Sequence, residues 1–335
     1  MQRFALIGAG FIGAVHAANL AANPDIDFAL VYDVDPVRAE SIAHAHGAEP
    51  AASLGDAFDP ARVDAVLIAS STPTHADHLR RAADAGIAAF VEKPVDLDLA
   101  TVRETVAYVE RSGIPAMVDF NRRFDRDHDE LRRIVRSGGV GAVELMQLTS
   151  RGPSSPALEY VAVSGGQMRD QTVHFFDLAR WICGEDPVEI YVTGAALADP
   201  RIREYGDVDT SVATLRLAGG GLIQIDSVRR TGYGYDERIE VMGATGRVES
   251  GRHREGNVVR YGSAAIGLDG LHAGWFERVR PTYSASLGAF VASLETGAAV
   301  PVTLQDGLKA QVIAEAASAS LRSGRPERIE YPDAG

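Results

Sequence analysis

The chain has one cysteine, Cys183, in 335 residues. That excludes an intrachain disulfide and any metal site built from several thiolates of one chain. No apolar run reaches the roughly 18 residues that a membrane-spanning helix needs. Cationic side chains are in deficit, with 33 Lys and Arg against 46 Asp and Glu, for a formal net charge of -13. Such a surface repels nucleic acid and anionic membrane, so neither is expected as a partner. Internal repeats and low-complexity tracts are missing too. The N-terminus enters a strand-like segment without a signal-peptide layout, which predicts a cytoplasmic protein.

What is present is a two-domain globular chain with a redox signature. A length of 335 residues exceeds one ordinary domain, and 46% hydrophobic residues suffice to bury two cores. Near the N-terminus, Gly8-Ala9-Gly10-Phe11-Ile12-Gly13 follows the apolar run 3–7 and opens onto the alanine-rich stretch 14–22. Strand, glycine turn and helix in that order make a dinucleotide-binding fingerprint. Gly8 permits the tight turn and Gly10 lets backbone N–H groups approach a pyrophosphate. Gly13 lets the helix lie close to the sheet, with its N-terminus facing the phosphates.

The rhythm of the first third extends this reading. Strand-like runs at 28–32, 65–69, 88–91 and 115–120 alternate with helical segments at 36–46, 75–85 and 100–112. Asp35 caps the first of these helices and Pro36 occupies its first turn. This alternation predicts a parallel, doubly wound sheet. Beyond residue 121 the pattern changes to a helix at 126–137, a strand at 143–149 and a helix at about 171–183. Strands at 188–192, 211–217, 222–227 and 238–242 follow, separated by glycine turns. Helices at about 284–296 and 303–323 and a terminal strand at 327–331 close the chain. The expected fold class is α/β: an N-terminal Rossmann domain (1–120) and a C-terminal α+β domain (121–335) on a large, mostly antiparallel sheet. The second domain is expected to bind substrate and to mediate oligomerisation, because one face of that sheet lacks helices to cover it.

Four positions stand out chemically. Asp33 lies 20 residues after Gly13 at the end of the second strand. A carboxylate there accepts hydrogen bonds from the ribose hydroxyls and repels a 2′-phosphate, so NAD is expected over NADP. The alternative is a turn aspartate, and nearby Arg38 is a cation that would suit NADP. Lys93, in Glu92-Lys93-Pro94, precedes a proline that biases its backbone toward extension. That projects an ammonium from a strand's carboxyl end, where ligands bind in such sheets; the alternative is a loop lysine paired with Glu92. Asp170 and His174 are four apart and would share one helix face. Imidazole is the usual general base near neutral pH, and a carboxylate fixes its tautomer. Asp177 continues that face, so a polar stripe is the alternative.

Taken together, these segments resemble the Gfo/Idh/MocA family of NAD(P)-dependent sugar and polyol dehydrogenases along nearly the whole chain. The general marks are Gly8 to Gly13, Ser70-Ser71-Thr72-Pro73-Thr74-His75, Glu92-Lys93-Pro94, and Asp170 followed by His174. Within the family, three further segments resemble the inositol 2-dehydrogenase branch. They are Asp119-Phe120-Asn121-Arg122-Arg123-Phe124-Asp125, Asp207-Val208-Asp209-Thr210 and Tyr233-Gly234-Tyr235-Asp236-Glu237-Arg238-Ile239-Glu240-Val241; the late Asp306-Gly307-Leu308-Lys309-Ala310 also fits. The resemblance implies a catalytic triad of Lys93, Asp170 and His174. It implies that Phe11, Ile12, Ser70, Thr72, His75 and Glu92 border NAD. It places Asn121, Arg122, Tyr235 and the loop beginning at Arg151 around the substrate. The implied reaction oxidises a secondary hydroxyl of a cyclic polyol, myo-inositol foremost, without a metal. A pyranose or anhydro sugar, a non-catalytic NAD-binding sensor and an NAD-dependent glycosidase are the alternatives. Dimers or tetramers built through the second-domain sheet are also implied. Gln167-Met168-Arg169, Gln171, Phe175-Phe176 and the loop 151–156 depart from that branch.

Overall fold

A computed structural model of the protein describes residues 1–332. The chain forms two compact units. The first contains Met1–Phe124 and Pro281–Lys309; the second contains Asp125–Arg280 and the segment from Ala310 onward.

In the first unit six strands form one parallel sheet: β1 (Gln2–Ile7), β2 (Ile26–Tyr32), β3 (Glu49–Pro50), β4 (Ala65–Ile68), β5 (Ala88–Glu92) and β6 (Ala116–Asp119). Their order is β3-β2-β1-β4-β5-β6, with every pairing parallel. This is the Rossmann order, and its switch point lies between β1 and β4. All four residues of β4 are buried, as its unbroken apolar run requires of a strand covered on both faces. The helix Pro36–His46 starts where expected, with the Asp35 side chain accepting from the Val37 N–H.

Phe290, on the late helix Trp275–Thr296, closes this core. Its ring meets Phe4 at 6.3 Å and Phe90 at 5.5 Å, edge to face, and all three rings are fully buried. That helix begins nine residues before the expected 284 and carries Pro281 inside it. The proline, usually a helix breaker, masked its first turns in the sequence.

The second unit is built on a seven-stranded sheet. Its strands are β7 (Val143–Arg151), β8 (Pro187–Ala195), β9 (Thr210–Leu217), β10 (Leu222–Val228), β11 (Asp236–Gly243) and β12 (Gly246–Ser250). A small separate hairpin, β13 (Val259–Tyr261) with β14 (Ile266–Leu268), precedes the edge strand β15 (Glu327–Arg328). The order is β12-β11-β7-β10-β9-β8-β15, and only β7 and β10 pair in parallel. The mostly antiparallel expectation therefore holds. Burial along β9 alternates cleanly, with Ala213 and Leu215 inward and Val212, Thr214 and Arg216 exposed. Phe175, Phe176, Leu178 and Ile182 of the helix Val173–Cys183 are buried, and this helix packs on β7. Among the described residues, no helix is long and apolar enough to cross a membrane.

One local expectation fails. The stretch 167–183 is two helices, Gln167–Asp170 and Val173–Cys183, so Asp170 and His174 do not share a continuous helix. The break falls at residues 171 and 172. The Gln171 carboxamide donates to the carbonyls of Ser150 and Val228, and the Thr172 hydroxyl donates to Ser227. Both residues keep right-handed helical dihedrals, but the ladder slips there: the Thr172 N–H reaches the Gln167 carbonyl, five residues back, at 3.0 Å.

Candidate active site

The first unit carries a candidate cofactor site at its switch point. Gly8 ends β1 with φ +101°, and a Cβ there would lie 2.5 Å from the Ala69 carbonyl oxygen and the Ser70 nitrogen. A Cβ on Gly13 would lie 2.0 Å from the Gly8 carbonyl oxygen, so only glycine lets the helix Phe11–Ala22 come this close. Gly10, by contrast, meets nothing within 4 Å and leaves its side of the turn open to a ligand. Gly10 also caps that helix without a side-chain bond, leaving the first N–H groups available to an anion. Phe11 is exposed and Ile12 half-buried at the same end. Asp33 sits just past β2, its carboxylate accepting from the Ala9 N–H at 2.6 Å and the Asp35 N–H at 2.8 Å. Arg38 lies exposed on the next helix, paired with Asp35 at 3.2 Å. An open glycine cradle, a bare helix N-terminus and a carboxylate at the second strand end fit a dinucleotide with a free ribose diol.

The loop after β4 is braced from within. Ser70 and Thr74 share a 2.7 Å hydroxyl hydrogen bond, and Thr72 opens a short 3-10 turn, Thr72–Thr74. His75 is buried, with Nδ1 2.8 Å from the Pro94 carbonyl oxygen and Nε2 2.8 Å from that of Ser70. Its ring nitrogens thus face the protein backbone. Lys93 stands half-buried one residue past β5, before a cis peptide bond to Pro94. Glu92 takes a hydrogen bond from His16 Nε2 at 2.8 Å. Asn121 and Arg122 are buried in the 3-10 turn Asn121–Phe124 that follows β6.

The second unit supplies a different cluster. Asp170 closes the helix Gln167–Asp170 and accepts from the Tyr160 hydroxyl at 2.8 Å and from Arg229 Nη1 at 3.0 Å. Arg229 is buried and also faces Asp207 at 3.5 Å. His174 lies half-buried at the start of the helix Val173–Cys183. Arg151 donates to Asp226 at 2.5 Å and to the Tyr233 hydroxyl at 3.2 Å. The Asp226 carboxylate holds its guanidinium well above the usual arginine range. The Tyr235 side chain is buried and its hydroxyl donates to Glu237 at 2.5 Å.

Nothing in the sequence alone points to Tyr160, Arg229 or Asp207 as individual site residues. Only Asp207 lay in a segment flagged by resemblance; Arg229 lies 59 residues from Asp170 and left no sequence signal. Asp209 anchors the adjoining loop, accepting from the N–H groups of Leu197, Ala198 and Asp199. Burial opposes its charge, but those donors and the Thr210 hydroxyl outweigh it and hold the carboxyl below the ordinary range.

A Rossmann sheet with an open glycine turn and a carboxylate at the second strand end is the layout of a dinucleotide-binding domain. Residues 2–120 match the oxidoreductase family with an NAD-binding Rossmann fold, and residues 128–249 match the GFO/IDH/MocA C-terminal domain. The chain belongs to the Gfo/Idh/MocA family. It is 40% identical to an inositol 2-dehydrogenase of Rhizobium meliloti, over 96% of this chain and 98% of that one. Identity to a myo-inositol 2-dehydrogenase of Thermotoga maritima is 37%, over 98% and 99% of the two chains. A crystal structure of a myo-inositol dehydrogenase from Corynebacterium glutamicum superposes with a TM-score of 0.93 at 35% identity, covering 98% of this chain and 99% of that one.

Proposed function

We propose that the protein oxidises a secondary hydroxyl of a cyclic polyol, with myo-inositol the substrate and its carbon 2 the position oxidised. The observation that carries this reading is full-length similarity, at 40% identity, to a chain named inositol 2-dehydrogenase. The chemistry of the named side chains agrees with it. A nicotinamide bound at the switch point supplies a hydride acceptor. His174 takes the hydroxyl proton as the carbon–hydrogen bond breaks with its electron pair and the ketone forms. Lys93 donates a hydrogen bond to the reacting oxygen and steadies its developing negative charge. Asp170 supports His174 electrostatically, and Tyr160 and Arg229 fix the direction of its carboxylate. Asn121, Arg122 and Arg151 recognise the remaining hydroxyls. In this reading residues 1–120 hold the cofactor and the later part of the chain holds the substrate.

A site that hydrogen-bonds each hydroxyl rejects an isomer that leaves its polar groups unpaired, by up to roughly 10⁴-fold. A panel of inositol isomers, pyranoses, linear alcohols and hydroxy acids, followed by NADH absorbance, should therefore show turnover concentrated in one or two inositols. Activity confined to linear alcohols or hydroxy acids would overturn the substrate class. The exposed side of the seven-stranded sheet carries Tyr191 and Val212, 39% and 38% exposed. That half-apolar face supports assembly of the chain into a dimer or tetramer. Light scattering at micromolar concentration should give a multiple of the chain mass, and a monomer mass would refute it.

A further inference from the structure

Two buried histidines of the first unit flank the short segment that carries Lys93. His16 lies on the helix Phe11–Ala22, has no exposed surface, and packs edge-on against Phe90 at 5.7 Å and Tyr283 at 5.5 Å. Its Nε2 is 2.8 Å from Glu92 Oε1 and 3.8 Å from Asp119 Oδ2. Asp119 ends β6 fully buried, and its other oxygen accepts from the Ser286 hydroxyl at 2.6 Å. Burial first, then the charge of Glu92, push the Asp119 carboxyl well above the carboxylate range. A carboxylate only accepts, which makes His16 Nε2 the donor in its 2.8 Å contact with Glu92. On the other side, His75 heads the helix His75–Ala85 and lies 2.8 Å from the Pro94 carbonyl oxygen.

Residues 92 and 94 are thus each tied to a different helix, and the residue between them bears a long flexible cation. Each tie is buried, where a hydrogen bond to a charged or backbone acceptor is stronger than in water and its loss more costly. The helix holding Glu92 is also the one whose N-terminus faces the cofactor phosphates. We propose that His16 and His75 are positioning residues for Lys93, holding the end of β5 from both sides so that the ammonium is presented in one place. This inference rests on the proposed role of Lys93 at the reacting oxygen.

The test uses the intact protein with NAD and myo-inositol. His16→Phe keeps a buried ring and removes the N–H; His16→Gln restores a donor. His16→Phe should lower kcat by roughly 10- to 100-fold, the scale of a small misplacement of a catalytic group. KM for the polyol and Kd for NADH, read by fluorescence titration, should change by no more than about threefold. His16→Gln should recover most of the loss. In a Lys93→Ala background His16→Phe should cost nothing further, because a residue acting through Lys93 has nothing left to position. His75→Phe probes the opposite side should His16→Phe fail to fold; it should lower kcat on the same scale, with any change in NADH affinity set apart because the ring also contacts the Ser70 carbonyl. Near wild-type kcat in both folded variants, or the same proportional loss with and without Lys93, would overturn the inference. A Lys93→Ala enzyme as fast as wild type would instead overturn the proposed role of Lys93.

Discussion

His174→Ala lowers the turnover of polyol oxidation by roughly 10²–10⁴-fold, the range for loss of a positioned acid–base group. NAD binding should stay nearly intact, because the glycine turn and Asp33 belong to the first unit and His174 to the second. Asp170→Asn should cost less. It leaves the imidazole in place and removes only the charge that supports it, together with the ion pair to Arg229. The imidazole accepts a proton only when neutral, so oxidation by the wild type should rise with pH and this rise should vanish in His174→Ala. Steady-state kinetics with NADH binding as a fold check measures all of this. A folded, NAD-binding His174→Ala enzyme working at near wild-type rate would transfer the base role elsewhere, with Lys93 first in line.

Asp33→Ser changes the choice of cofactor. The Asp33 carboxylate is pinned at the end of β2 by two backbone N–H groups and has no freedom to swing away from an incoming 2′-phosphate. Two unit charges about 4 Å apart near a protein surface repel by roughly 4 kcal/mol, close to a thousandfold in binding. Wild-type kcat/KM should favour NAD over NADP by at most about that order, and Asp33→Ser should erase at least roughly tenfold of it. Arg38, exposed and paired through Nε with Asp35 at 3.2 Å, acts in the opposite direction and reduces the preference below that figure. Equal wild-type kcat/KM values for the two cofactors would sink the assignment of Asp33.

The first unit is far more legible in the sequence than the second. Five of the six strands of the first sheet are short, largely apolar runs bounded by turn residues, and the signals for Gly8, Gly13 and Asp33 are local; β3, the exposed pair Glu49–Pro50, carries no such signal. The same holds for the helix Pro36–His46, whose cap and first-turn proline are adjacent in the chain. What escaped was set by partners far away. The separation of Asp170 from His174 into two helices coincides with Gln171 reaching the ends of β7 and β10, 21 and 57 residues distant. Arg229 holds Asp170 across 59 residues. Phe290 completes a core whose other rings are Phe4 and Phe90, so the late helix serves a unit that began almost 300 residues earlier. His75 is the instructive middle case. The resemblance marked its loop, but only the structure shows both ring nitrogens turned to backbone carbonyls.

The central claim is hydride transfer from a cyclic polyol carbon to NAD, and isotopic labelling tests it most directly. Purified protein is supplied with NAD and myo-inositol deuterated at carbon 2, and the reduced cofactor is analysed by mass spectrometry. The account predicts that the deuterium appears in the reduced nicotinamide, in equal amount to the ketone formed, and that Lys93→Ala and His174→Ala both slow its appearance. Reduced cofactor without deuterium, or no reduced cofactor with any inositol isomer or pyranose, would contradict it.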